Sequence, residues 1–449
     1  MAPKFFAASP PAAGRKAAYC FVVPGIALLL GGALAGLWHW GPHSLYFAVL
    51  RSLGFGPFRF PFLDIHAVLA AVQCQRYGID VYLWNPCDAL GRPHVYSPLW
   101  LRITPDFLNT SATTAVGLGL GLVFIASLAT VCRPATGREA LVLALTALSP
   151  MTVYALERAN TDVAVFLLIL AGCGLGRTPR PWRFGAYALY FFAGLLKYYP
   201  LVLLVLIARE RRRDAIAIGA TAGCVLLVLA VCGRSELAKA LANIPSASYY
   251  TGSFSALNLP FGLADILNGI HFHRLVGVFL LTALVGIAAA RTRRTLPLLD
   301  RAEPDWRPFE AQCLVVGALV LVGCFFAGQN IDYRGIYFVL VMPGLLLLRR
   351  ATPQAEVRRF LAQMIATVLF IAWEPVWRAA VRAAAFALPG AALRPRGETL
   401  FWLGRELVWW GLITGLAAVA LGYLRRLPLF LDASAAFPNI WLRRRQQPG

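Results

Sequence analysis

Charge is what this sequence has least of. Asp, Glu, Lys and Arg make up 14% of its 449 residues, and only 21 residues are acidic. A soluble domain carries about 25% charged and about 45–50% apolar residues. Here 59% are hydrophobic, more than a soluble core can hide. The nine cysteines include no C-x-x-C pair and no Cys/His metal spacing, which argues against a redox motif or zinc module. Internal repeats, low-complexity tracts and an appended soluble domain are also missing. That leaves a membrane protein as the reading.

The apolar residues come in runs close to the roughly 20 residues that cross a bilayer. The formal charge of +21 does not point to nucleic acid, because the basic residues sit in short blocks between apolar runs: 177–183, 209–213, 291–307, 349–359, 425–426 and 443–445. Such blocks mark cytoplasmic loops. At the start, Lys4, Arg15 and Lys16 precede an apolar run, and Ala33-Leu34-Ala35 has the form of a signal-peptidase site. The run 19–40 is long enough to span, so it reads as an uncleaved first helix.

Spans are expected at about 21–37, 114–131, 141–156, 163–175, 216–231, 275–290, 313–327, 335–348, 360–373 and 401–424. Outer loops fall at 40–112 and 234–273. Basic blocks flank 184–208 on both sides, and Lys197 and Pro200 interrupt it, so it reads as a re-entrant hairpin of two short helices. Irregular backbone survives at that depth only where protein or a watery cavity satisfies it. The segment 376–400 carries Arg378 and Arg382 beside Trp377, Val381 and Phe386, a composition suited to the outer interface. The expectation is one all-α domain over residues 1–449, a polytopic transmembrane helical bundle of about ten full spans plus the hairpin. Its place is the inner (plasma) membrane, with both termini cytoplasmic and every basic block inside.

The scarce acids are informative under this topology. Asp64, Asp80, Asp88, Asp106, Glu157, Asp162, Asp265, Asp332 and Glu374 all fall on the outer face or at span ends touching it. Ionisable groups at membrane depth cost about 2.5–3.5 kcal/mol each on insertion scales, which makes them functional candidates. Within the first outer loop, residues 60–78 read as an amphipathic helix, with Ile65, Val68, Leu69 and Val72 on one face and Gly78 as its stop. Asp64 at its start is either an N-cap or a rigidly held general base, and His66 beside it a polar neighbour. Tyr82, Trp84, Tyr96 and Trp100 suit either sugar stacking or an interfacial aromatic belt. Cys74 and Cys87 both lie in this loop, where an oxidising compartment permits a disulfide between them.

The order of these pieces resembles glycosyltransferase family 87, membrane-embedded GT-C enzymes that take mannose from polyprenyl phosphate. The residues carrying the resemblance are Asp64, then Gly78-Ile79-Asp80-Val81-Tyr82, then Gly91-Arg92-Pro93 leading to Tyr96-Ser97-Pro98-Leu99. LERANTDVAVFLL (156–168), LLKYYPLVLL (195–204), SFSALNLP (253–260) and NIDYRGIYFVLVMPGLLLL (330–348) are similar to a bacterial branch of that group. Ser97 stands where the family usually has a second Pro, and Ala159 where the branch usually has Gly. The last hundred residues carry no such signal.

The resemblance implies a GT-C-like bundle whose site faces the periplasm. The donor would be a polyprenyl-phosphate-linked sugar, mannose-like, and the acceptor a hydroxyl on a lipid or glycan, with no nucleic acid as partner. Asp64 is then the general base, a role worth about 10²–10⁴-fold. Lys197, Arg334 and Arg158 are the candidates for the donor phosphate, where aimed cations stabilise the leaving group. His66, Asp80, Tyr82, Tyr96, Glu157, Asn160, Asp162 and Asp332 are candidates for substrate contacts. Plainer roles stand beside these: a snorkelling Lys197, an Arg334–Asp332 ion pair, and a solvated turn at 157–162. The acids are too dispersed for a convincing metal site, and dependence on a divalent cation stays open. The alternatives are a transporter or flippase of lipid-linked sugars, and a polysaccharide polymerase or ligase. The single interrupted hairpin counts against the former, since transporters usually repeat that feature.

Overall fold

A computed structural model describes residues 20–436 except 57, 245–247, 251, 269–272, 303 and 388–392. The basic residues before position 20, the block 443–445 and both termini lie outside the described residues. The chain is mostly helical, as the apolar patterning predicts. Among the described residues six helices are long and apolar enough to cross a membrane: Val22–Trp40, Thr110–Val131, Arg212–Cys232, Arg274–Arg301, Phe309–Ala327 and Gly397–Leu424. Counting each of two bent pairs as one span brings the number to eight.

Local chemistry explains the bends. Gly137–Ala147 and Pro150–Glu157 meet at 46°. Ser149 caps the second helix by accepting from the Thr152 amide, and Pro150 occupies its first turn, where a missing N–H costs nothing. Ala355–Ala372 and the following helix meet at 62° across Trp373. The segment 184–208 lies in the helix Arg180–Lys197 and a 3-10 segment, Tyr199–Arg209. Between them Tyr198 takes φ +53°, a conformation L-residues rarely adopt, and it turns the chain back on itself. Tyr187 Oη donates to the Leu206 carbonyl at 3.3 Å, and Arg183 Nη2 to Glu210 at 2.8 Å, closing the open end.

Phe309–Ala327 and Gly397–Leu424 are mostly buried, whereas Val22–Trp40, Arg212–Cys232 and Arg274–Arg301 expose long apolar faces. The first group forms the core against Phe338–Ala351; the second suits lipid. Trp409 lies in the centre, its ring 4.2 Å from Phe254 and 5.9 Å from Phe338. In a bilayer such contacts hold helices by packing alone, because lipid tails are as apolar as the side chains.

One feature departs from an all-α fold. Ser253–Phe254 and Asn330–Ile331 pair as antiparallel strands, with Ser253 opposite Ile331 and Phe254 opposite Asn330. This ladder joins the SFSALNLP segment to the NIDYRG segment. Two loops are joined as well: Lys239 pairs with Asp80, Asn243 Nδ2 donates to the Tyr82 carbonyl at 2.6 Å, and Arg102 pairs with Glu236 at 2.7 Å.

Candidate active site

The helix expected at 60–78 is Leu63–Arg76, ended near Gly78 at φ +76°. Its first amides do not need a side-chain cap. Phe62 N–H donates to the Glu157 carbonyl at 2.6 Å and Asp64 N–H to the Arg158 carbonyl at 3.0 Å. These carbonyls satisfy donors that a helix start otherwise leaves open, so the Asp64 side chain is not the cap and is free to point elsewhere.

It points into a buried polar cluster. Asn160 Nδ2 donates to Asp64 Oδ2 at 2.6 Å. Arg158 and Arg92 each bring Nη1 to 3.5 Å from Oδ1. Asn160 also caps Thr161–Leu175, accepting from the Asp162 amide at 2.9 Å. Its Oδ1 takes a second bond, from Lys197 Nζ at 3.0 Å. One amide side chain therefore bridges Asp64 and Lys197. Ala159, just before it, is at φ +41°. The position where the related branch usually has Gly is thus a left-handed turn, which Gly adopts without strain.

Lys197 Nζ lies 2.8 Å from Asp162 Oδ2, and Arg334 Nε 3.6 Å from the same oxygen. Asp162 is 0% exposed and also accepts from Tyr199, whose hydroxyl meets that of Tyr337. Rings flank the cations: Lys197 sits 5.4 Å from both the Tyr96 and Tyr333 centroids, and Arg334 4.8 Å from that of Tyr199. Lys197 is buried and paired instead of snorkelling. Arg334 pairs with Asp162 and bonds Asn330, not Asp332; Asp332 faces Arg378 at 3.8 Å. The 157–162 turn is buried instead of solvated. Arg158 lies 3.8 Å above the Phe58 ring, donates to Tyr154 Oη at 2.9 Å and faces Glu157 at 3.8 Å.

Other candidate residues go elsewhere. Asp80 is exposed and, with Tyr82, docks the second outer loop. His66 hydrogen-bonds Thr113 at 3.0 Å. The structure pairs Cys74 with Cys87 in a disulfide. Beside it, Asp88 accepts from the Arg92 amide, Nε and Nη2, while Arg92 Nη2 also reaches the Leu63 carbonyl at 2.9 Å. Burial works to raise the Asp88 carboxyl, and the Arg92 bonds overcome this and hold it below its usual range. Burial pushes His94, in the same loop, down to about 4.

A second charged cluster lies past Asp332. The helix Glu374–Ala387, expected along the outer interface, sends Arg378 inward to Asp332 and Glu374. Glu374 also faces Arg405 at 3.4 Å, and Arg405 pairs with Glu406. Asp332, Glu374 and Arg378 of this cluster stand out in the sequence as scarce acids and an interfacial cation; Arg405 and Glu406, charges within an apolar run, complete it unannounced. Arg92 and the tyrosines 199, 333 and 337 lie inside the quoted motifs, yet nothing in those motifs singles them out. Among the described residues no group of three His, Cys, Asp or Glu side chains is arranged to hold a metal.

Asp64, Tyr96, Asn160, Lys197 and Arg334, from separate motifs that resemble one family, thus converge in space, whereas Asp80 and Tyr82 do not. A model of glycosyltransferase family 87 matches residues 94–322. The chain belongs to glycosyltransferase family 87. The matched stretch contains Tyr96, Glu157, Arg158, Asn160, Asp162 and Lys197; Asp64, Asp332 and Arg334 lie outside it. Neither a curated protein nor a solved structure gives a significant match. As a family 87 glycosyltransferase with multiple apolar helices, the protein transfers sugar and has its place in a membrane.

Proposed function

We propose that this glycosyltransferase moves a mannose-like sugar from a polyprenyl-phosphate donor to an acceptor hydroxyl on the periplasmic side of the inner membrane, with Asp64 as base. The observation that carries the reading is the Asn160 bridge, 2.6 Å from Asp64 and 3.0 Å from Lys197. It fixes a carboxylate that can take the acceptor proton beside cations suited to a departing phosphate. Asp64 Oδ2 is oriented by Asn160, while Oδ1 has only the two guanidinium contacts at 3.5 Å, longer than a good hydrogen bond. That oxygen is the one available to a hydroxyl.

Lys197 and Arg334 converge on Asp162, two cations for one carboxylate, so a phosphate entering there meets local positive charge in a poorly solvated site. Arg158 reaches from the other side of Asn160. Tyr96 and Tyr333, flanking Lys197, offer rings for the sugar. Shorter apolar helices, among them Thr161–Leu175 and Phe338–Ala351, bring the proposed count to about ten spans. The folded-back 180–209 pair then serves as a re-entrant hairpin carrying Lys197 at its tip.

The test uses protein in proteoliposomes supplied with labelled donors. Transfer from the polyprenyl-monophosphate sugar, and not from its diphosphate counterpart, is the expected outcome, and EDTA in the same assay reads out any divalent-cation requirement. Movement of intact donor across the bilayer without transfer would instead support a flippase.

A further inference from the structure

Two adjoining pockets open next to the Asp64 cluster, and neither is used by the base or by the phosphate cations. The first, about 190 Å³, is lined by Gly54, Tyr154, Gly252, Asp332, Arg378 and Arg382 among others. The second, about 240 Å³, includes Tyr250, Glu374, Arg378, Arg382, Trp402 and Arg405. Arg378 and Arg382 belong to both, so they form a common wall. Each alone is smaller than a usual ligand site, whereas together they fall within the range of about 300–1,000 Å³.

The inner end of the first pocket reaches the site. Tyr154 lines it and accepts from Arg158 at 2.9 Å, and Arg158 faces Asp64 at 3.5 Å. Its rim is tight: Gly54, at φ +84°, has the Pro375 carbonyl where any side chain would have to sit. A glycine there lets the first outer loop approach the Glu374–Ala387 helix and close the rim.

The lining identifies the chemistry. Glu374 is 1% exposed and pairs with Arg405 and Arg378 through Oε1, while its Oε2 has no hydrogen-bond partner. Arg378 Nη1, 3.7 Å from that Oε1, also makes no hydrogen bond, so an acceptor and a donor with unused hydrogen-bonding capacity lie side by side in the lining of the second pocket. Leaving such groups unsatisfied is costly, so a ligand that both donates and accepts is favoured. A sugar hydroxyl does both. A phosphate only accepts, and it would meet Glu374, Asp332 and Glu398. The rings of Tyr250 and Trp402, packed edge to face with centroids 5.0 Å apart, complete the lining of the second pocket and suit a neutral ring.

We propose that this double pocket binds the acceptor as a neutral saccharide, with hydroxyls on Glu374 Oε2 and Arg378 Nη1, and presents it to Asp64 past Tyr154. The proposal rests on the glycosyltransferase reading above and names the substrate class that its acceptor side takes. The test is photo-cross-linking of the intact protein in detergent with a diazirine-bearing alkyl hexoside, read by peptide mass analysis. Label is expected on residues 374–384 and 397–405, displaced by excess methyl hexoside and not by inorganic phosphate. Arg382, which is half-exposed and pairs with Glu398 at 3.2 Å, can be changed without stranding a buried charge. Arg382→Ala should raise the acceptor KM about tenfold while leaving the donor KM unchanged. Displacement by phosphate, label outside these segments, or an unchanged acceptor KM would overturn the site. If label lands as expected while a monophosphate donor gives no transfer, the saccharide pocket stands and the donor assignment falls.

Discussion

Replacing Lys197 by methionine leaves the Asp162 carboxylate, 0% exposed, with one cation fewer. At 2.8 Å the Lys197–Asp162 attraction is about 6 kcal/mol at an effective dielectric of about 20. Arg334, at 3.6 Å, retains about 5 kcal/mol of similar attraction by the same arithmetic. Breaking a buried pair usually costs about 3–5 kcal/mol, and because Arg334 remains, Lys197→Met should fall at the low end. Adding Asp162→Asn removes the carboxylate but leaves Arg334 without its counter-ion, so the double variant should recover only part of that stability. Activity should behave differently. If Lys197 serves the leaving phosphate, both variants lose about 10²–10³-fold in transfer, the usual loss for one aimed donor. Thermal unfolding in detergent and single-turnover transfer, measured on the same preparations, separate the two effects. A double variant that regains both stability and transfer would refute the phosphate role and leave Lys197 as the neutraliser of Asp162.

Three further outcomes follow from the geometry. Changing Cys74 and Cys87 together to serine should cost about 3 kcal/mol, as expected for a loop of this length, and non-reducing alkylation should find neither thiol in the parent protein. At Ala159, with φ +41°, Ala159→Gly should shift stability by less than about 1 kcal/mol, because relief of strain offsets the added chain entropy. Ala159→Val should cost about 1–3 kcal/mol through backbone strain; equal effects of the two would contradict the left-handed turn. Burial, followed by the Glu374 charge, raises the Asp332 carboxyl to about 6, against the opposing pull of Arg378 and Arg405. A raised carboxyl favours the fold most when protonated, so its contribution is complete below about 4 and lost as pH climbs through about 6. Asp332→Asn should flatten that part of the stability–pH curve, and an unchanged slope would count against it.

The apolar runs made the bundle legible, because bilayer thickness sets a length that composition reveals directly. The amphipathic helix at Leu63–Arg76 and its glycine stop were equally legible, since periodicity and turn chemistry are local. Pairings between distant segments were not. Asp64 at a helix start reads as either a cap or a base, and only the fold shows that the carbonyls of Glu157 and Arg158 take the capping task. Arg334 and Asp332 are two residues apart, yet the 3-10 turn Asp332–Tyr337 sends them to different partners. Arg378 reads as interfacial because its helix is amphipathic; Glu374, one turn earlier on the same helix, and Asp332, far back in the chain, draw it inward. Asn160 was one polar residue among several, and its importance lies in where its two amide atoms point.

The most direct test compares Asp64→Asn with Asp64→Glu in transfer of labelled sugar from a polyprenyl-phosphate donor in proteoliposomes. The asparagine keeps the shape of the side chain but cannot take a proton, so transfer should fall by about 10²–10⁴-fold, with the fold intact and measurable residual activity in the glutamate variant. Transfer by Asp64→Asn at the parent rate would show that the acceptor proton goes elsewhere and that this buried cluster is scaffolding.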